Sequence, residues 1–157
     1  MKFSTTEEYG LRCLIRVGKF YHAGKSLTIP EISRAEGISE HNAGKILRTL
    51  RLGGFLVAER GNAGGYTLSK PPIEIKIKDV LFSLGGKLYD DDFCKTHTGA
   101  VDLCTNSIDC SVRSLWRLIQ DAIEGVLVNM TLQDLLGSEN NLFELFGNSG
   151  VTLIENS

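Results

Sequence analysis

The chain has 157 residues, of which 42% are hydrophobic and 23% charged, with a formal net charge of −2. That length and balance suit one domain with an added element and a real core, and exclude collagen-like and disordered classes. No apolar run of about 18 residues occurs, so no membrane span is expected, and MKFSTTEEYG lacks the basic start and apolar stretch of a signal peptide. The expected compartment is the cytoplasm, where thiols stay reduced. The net charge hides an asymmetry. Residues 1–78 hold 13 Lys and Arg against 7 Asp and Glu, whereas residues 79–157 hold 4 against 12. A basic half joined to an acidic half points the first half toward a polyanion.

Residues 4–22 read as the first helix. Ser4 with Glu7, and Thr5 with Glu8, both have capping-box spacing, and Tyr9, Cys13, Val17 and Phe20 form one apolar stripe. Ala23-Gly24-Lys25 ends it. Thr28 then caps a short helix, PEISRAE, with Pro30 in its first turn, Glu31 completing the box and Gly37 stopping it. Ser39 caps a further helix to about Leu52, with Ile46, Leu47, Leu50 and Leu52 as its buried side. Two helices joined by a short turn containing glycine match a helix-turn-helix. FLVAE and YTL are strand-like around the loop RGNAGG, which makes a hairpin and completes a winged-helix pattern.

Pro71-Pro72 closes that unit. IEIKIK alternates and reads as a short extended segment, and DVLFSLGG as a helix stopped by Gly85-Gly86. Residues 87–109, which include Asp90-Asp91-Asp92, have no periodicity. A structureless stretch of roughly twenty residues is longer than compact domains usually hold without a function. SVRSLWRLIQDAIEGVLVNM reads as a long helix from Ser111, with Leu115, Ile119, Ala122, Ile123, Val126 and Leu127 on a broad apolar face. Thr131 and Asp134 open a short helix, TLQDLL, and residues 137–157 read as a frayed or loosely docked tail. The organisation is thus a mainly α chain with one small β-hairpin. Residues 1–86 form a winged helix, 87–110 a cysteine loop, 111–136 a long helix plus a short one, and 137–157 a tail.

A recognition helix must turn polar side chains to base edges while its other face packs. Ser39, His41, Asn42 and Lys45 stand near the start of the third helix, where bases are met. Asn can read adenine, Lys can donate to guanine, and Arg48 and Arg51 are better placed for phosphates. In the wing loop, Arg60 suits a narrow, negative minor groove, and Asn62 lies among small residues that let the backbone come close to DNA. A solvated helix face and a plain glycine turn are the bland readings of the same residues. RGNAGG is neither GxGxxG nor a Walker loop, so nucleotide binding is not indicated.

Four cysteines occur. Three of them follow Cys94-x9-Cys104-x5-Cys110. In a reducing compartment that grouping reads as metal or redox chemistry. Three thiolates on a flexible loop suit an iron–sulfur cluster, 2Fe–2S or 4Fe–4S. Cys110 starts the long helix, whose positive end favours a thiolate. Zinc sites usually show CxxC pairs, absent here, and a metal-free thiol switch remains the other alternative. Cys13 falls on the apolar stripe and reads as core, and Trp116 as packing. No Ser/His/Asp grouping suggests an enzyme.

The stretches EISRAEGIS, LRTLRLGGFLVAERGNAGGY, the cysteine loop ending in CSVRSLW, and MTLQDLL resemble winged-helix iron–sulfur regulators of the IscR, NsrR and RirA type, over roughly residues 1–136. The resemblance implies a homodimer that pairs the long helix, about residues 111–129, with its twin and binds double-stranded DNA at a dyad-symmetric operator. It maps Cys94, Cys104 and Cys110 onto the cluster cysteines. The gap of nine residues is longer than in IscR-like members, and the position of their ligand histidine is Arg113, which has no lone pair to give. NsrR-like relatives take a carboxylate from the first helix of the other subunit, and Glu8 stands at that place. A relative using Glu plus His there would need a histidine where this chain has Arg12. Glu8 is therefore the expected fourth ligand, with a capping partnership to Thr5 as its plain alternative and His97 as the other candidate ligand. The functions in play are a cluster-bearing DNA regulator, a metal-free thiol-switch regulator, and a zinc-stabilised or enzyme-binding interaction module.

Overall fold

A computed structural model describes residues 2–62, 64–90 and 92–147. The chain runs α1 (Thr5–Gly18), α2 (Ile29–Glu36), α3 (Glu40–Leu52), β1 (Leu56–Glu59), β2 (Gly65–Leu68), α4 (Ile77–Gly85), α5 (Phe93–Thr96), α6 (Ser111–Leu127), α7 (Leu132–Leu135) and α8 (Glu139–Phe146). The mainly helical class with one antiparallel hairpin is as expected.

Capping sets the helix starts. Ser4, Thr28 and Thr131 each sit in a capping box, with Glu7, Glu31 and Asp134 as the reciprocal partners. Glu7, not Glu8, closes the first box, so the expected Thr5–Glu8 box is not the one used. α1 stops at Gly18, four residues short of the expected end, because Phe20 and Tyr21 donate to Val17 and Gly18 three residues back and tighten the chain into turns. At the end of α2, Gly37 takes a left-handed conformation (φ 68°) and bonds back to Ser33, which turns the chain sharply into α3.

These helices and the hairpin share one core. Cys13, Leu14 and Val17 of α1 meet Ile32 of α2, Ala43, Ile46, Leu47 and Leu50 of α3, and Leu56 and Leu68 of the strands. Leu52, expected to be inward, is 68% exposed, because α3 is in its last turn there and the buried stripe has rotated past it. The strands pair Leu56 with Leu68 through Glu59 with Gly65. Leu27, just before α2, exchanges two backbone hydrogen bonds with Tyr66 (3.0 and 2.7 Å) and so adds a third short strand position to the wing. Gly65 is required there: a Cβ would lie 2.6 Å from the Leu27 carbonyl oxygen.

Below the wing, IEIKIK differs from expectation. Pro72–Glu74 form a 3₁₀ turn, only Lys76 pairs, with Thr131, and α4 already begins at Ile77. The alternation reflects burial of Ile75 and Ile77 while Ile73 stays 64% exposed, too few residues for a strand. The region expected to be a tail also differs. Ser138 caps α8 by accepting from the Asn141 N–H, and Leu142 and Phe146, one turn apart, pack on the core. The rest of that expectation, residues 148–157, lies outside the described residues, as do Ala63 of the wing loop and Asp91 of the acidic run.

α6 contrasts with the other long helices: only Gln120 is buried along it, and Val112, Leu115, Leu118 and Val126 are exposed. Leu127 packs half-buried against the core, and ion pairs add to the helix's attachment. Glu124 receives Lys78 of α4 at 2.6 Å and Lys87 at 3.7 Å.

Candidate nucleic-acid interface and cysteine cleft

The packed face of α3 dictates its free face. With Ala43, Ile46, Leu47 and Leu50 inward, residues Glu40, His41, Asn42, Lys45, Arg48 and Arg51 are left exposed on the outer side. His41, Lys45 and Arg48 recur at helical spacing and form one strip, with Asn42 beside it. No salt bridge engages Lys45, Arg48 or Arg51 among the described residues. Ser39, also exposed, caps the helix: its hydroxyl accepts from the Asn42 N–H at 3.2 Å and keeps its own O–H to donate. The wing tip presents Arg60 and Asn62, both exposed, around Gly61 at φ 106°.

The turn before α3 is held from behind. Glu36, the last residue of α2, is only 8% exposed. Its carboxylate receives Arg12 Nε at 3.1 Å and Arg16 Nε at 2.7 Å, and Arg12 Nη2 donates to its main-chain oxygen at 3.0 Å. Sequence reasoning passed over Glu36, although a signal existed: it lies four residues after buried Ile32, on the inward face. Cys13, between the two arginines on α1, is fully buried; desolvation, with the nearby Glu36 charge, pushes its thiol up to about 12. It is a core residue, as expected.

The acidic half brings the other three cysteines together. Cys94, Cys104 and Cys110 all line one cleft of ≈ 180 Å³, shared with Asp102, Lys95 and Arg113. Each thiol has a different support. Cys110 is the N-cap of α6, and its Sγ accepts from the Arg113 N–H at 3.3 Å. Cys94 lies on α5 with its Sγ 3.7 Å from the Tyr89 hydroxyl. Tyr89 in turn is anchored to α6, its N–H donating to buried Gln120, and its own hydroxyl is held above the usual phenol range chiefly by the bond to Cys94. Cys104 sits in a turn closed by the Ser107 N–H donating to its carbonyl at 3.1 Å. The Arg113 side chain donates to the Ser107 carbonyl, so this residue braces the loop as a donor.

The donor set suits a thiophilic metal in kind: three soft sulfurs facing one cleft, one of them already accepting a main-chain N–H. Within the single protomer, and among the described residues, no three His, Cys, Asp or Glu side chains are gathered tightly enough to hold a metal ion. His97 does not line the cleft. Its ring stacks on Phe93 at 4.0 Å, with Nδ1 2.8 Å from the Phe93 carbonyl oxygen. Glu8 is exposed on α1, and its carboxylate has no hydrogen bond or ion pair among the described residues.

A capped helix-turn-helix with a free basic face, followed by a glycine-rich wing, defines a winged-helix, DNA-binding transcription regulator rather than an enzyme. No described helix is long and apolar enough to cross a membrane. The chain belongs to the Rrf2 family, described as an iron-dependent transcriptional regulator, which matches residues 3–138. Among curated proteins it is 30% identical over 135 residues to the HTH-type transcriptional regulator CymR of Bacillus subtilis, covering 86% of this chain and 89% of that one. It is 27% identical over 142 residues to IscR of Photorhabdus laumondii, covering 90% and 83%. Among solved structures, CymR of B. subtilis, described as its global cysteine regulator, superposes with a TM-score of 0.69 at 29% identity, over 87% of this chain and 96% of that one. T. potens IscR superposes with a TM-score of 0.67 at 26% identity, over 87% and 86%.

Proposed function

We propose that this regulator works as a homodimer. It reads a dyad-symmetric duplex through Asn42, Lys45 and His41 of α3, with Arg48, Arg51, Arg60 and Asn62 on the backbone and minor groove. We further propose that Cys94, Cys104 and Cys110 hold an iron–sulfur cluster, with Glu8 from a second copy as the fourth ligand. The observation that carries the cluster reading is the shared cleft: three cysteines spread over the loop and the start of α6 face one space. The iron-dependent description of the family supports it, and so does the unengaged Glu8 carboxylate. When bound, such a cluster supplies irons that respond to oxidants, nitric oxide or iron supply. Cys110 contributes a sulfur that accepts the Arg113 N–H at the start of α6, Arg113 fixes the turn between Cys104 and Cys110, and Tyr89 orients Cys94. The exposed face of α6, with Leu115 and Leu118, supports a twin helix as the dimer partner.

A metal-free thiol switch is the second reading. Two observations favour it: the thiols of one protomer are not gathered at ligating distance, and a relative of this fold is described as an oxidized form of CymR from Staphylococcus aureus, 27% identical with a TM-score of 0.67. Anaerobic purification decides between them. The cluster reading expects iron and acid-labile sulfide with visible absorbance, all lost in Cys104→Ala. Colourless protein free of iron but rich in titratable thiol selects the thiol switch. Zinc without sulfide selects a zinc-stabilised module.

A further inference from the structure

Glu36 breaks two local rules at once. A carboxylate at the C-terminus of a helix faces the negative end of the dipole, and a carboxylate only 8% exposed has lost most of its hydration. Arg34 places a positive charge in the last turn of α2, but the direct partners of the carboxylate come from α1, where Arg12 and Arg16 stand one turn apart on the same face. Arg16 takes one carboxylate oxygen at 2.7 Å and Arg12 the other at 3.1 Å. Arg12 also reaches the Glu36 main-chain oxygen, one of the carbonyls that the end of α2 leaves without a helical partner. The Arg12 guanidinium is further fixed over the Tyr9 ring at 5.0 Å. Immediately after Glu36 come Gly37, in its left-handed turn, and the Ser39 cap of α3. Ser33 locks that turn by donating to the Ile38 carbonyl at 2.6 Å. The start of α3, the part aimed at bases, is therefore two residues past a turn whose position is dictated from α1.

We infer that Arg12, Arg16 and Glu36 form a positioning joint, through which the placement of α1 sets the tilt of α3 and so the discrimination between DNA sequences. These residues touch no base. They act through the turn. Loss of the joint lets α3 pivot on its apolar contacts, which keep the fold but leave the polar side chains misaligned. Phosphate attraction, which depends on charge more than on angle, survives such a pivot. The inference rests on α3 as the reading element, so its test carries a control for that reading.

The experiment selects duplexes from a randomised pool with the native protein. Affinity for a selected and for an unrelated duplex is then measured at one salt concentration, well below each variant's unfolding temperature. Glu36→Gln is expected to lower the selected-to-unrelated affinity ratio at least about tenfold, with affinity for the unrelated duplex within about twofold of native. A merely structural role lowers the unfolding temperature and leaves the ratio of the folded protein alone. A ratio in folded Glu36→Gln within twofold of native overturns the joint. Should that variant not fold, Arg16→Lys decides, since it keeps the charge and loses the fork: a fall of at least threefold is expected, and an unchanged ratio overturns the inference. Asn42→Ala separates the two readings. If it leaves the ratio intact while Glu36→Gln lowers it, the joint stands and the assignment of Asn42 falls; the reverse pattern removes the joint alone.

Discussion

The winged helix and the cysteine segment are held together by different physics. From α1 to α4, buried aliphatic side chains from every element meet in one core, and each of the first three helices starts on a side-chain cap. From residue 87 to the end of α6, buried side chains are few. Tyr89 and Gln120 meet through one hydrogen bond, and the Cys94 and Cys110 thiols hang on single contacts, to Tyr89 and Arg113 respectively. The first region has the means to keep one shape alone. The second leaves Val112, Leu115, Leu118 and Val126 of α6 exposed and turns its sulfur donors into an open cleft, as an element does whose partners arrive from elsewhere. The proposed sensing role needs that division: a rigid reader, and a reporter soft enough for a ligand or a second subunit to alter.

Matched truncations test this contrast most severely. Leu47→Ala in the core is expected to cost about 2–5 kcal/mol in denaturant unfolding. Leu118→Ala on exposed α6 is expected to change unfolding of the protomer by less than about 0.5 kcal/mol. The same Leu118→Ala is expected to weaken self-association in sedimentation experiments. Equal unfolding costs at the two leucines would erase the contrast. At the next level, Asn42→Ala is expected to lose about 1–3 kcal/mol of discrimination for a selected duplex without loss of fold, measured by competition binding. Ser39→Ala removes the cap of α3 and is expected to lower stability by about 1 kcal/mol, a cost readable in thermal unfolding.

The smallest effect concerns the polar tie between α4 and α6. Hydrogen bonds from Lys78 and then Gln120 hold the Glu124 carboxyl below its ordinary value of 4.5. A depressed carboxyl stabilises the fold above its unfolded value, and the contribution disappears as pH falls through 4.5 and below. Glu124→Gln is therefore expected to lower stability slightly at neutral pH, leave it unchanged well below pH 4.5, and so flatten the acid limb. An unaltered acid limb would show that the tie contributes nothing measurable.

What was legible in the sequence was mostly local. The Thr28–Glu31 and Thr131–Asp134 boxes, the Gly37 stop and the hairpin depend on residues within a few positions of one another, and all appear where their spacing put them. Competition between equivalent local signals was harder. Ser4–Glu7 and Thr5–Glu8 have the same spacing, and only the assembled helix start chooses the first, which leaves Glu8 free. Periodicity misjudged Leu52 because it ignores where a helix stops relative to its neighbours, and it missed α8 because an Asn-rich composition masked Leu142 and Phe146 at one-turn spacing. The grip of Arg12 and Arg16 on Glu36 spans more than twenty residues of chain, beyond any windowed pattern. That the three cysteines face one cleft follows from how α5 and the start of α6 are placed, which spacing could suggest but not establish.

The central claim is that chemistry in the cysteine cleft alters the grip of the winged helix on DNA. Its most direct test measures, without oxygen, the affinity of one protein preparation for a selected duplex before and after iron is stripped by a chelator, beside Cys104→Ala treated alike. The account predicts at least a tenfold difference, about 1.4 kcal/mol, between loaded and stripped native protein, and none for the variant. Identical affinities for native protein that demonstrably carried and then lost its iron would contradict it.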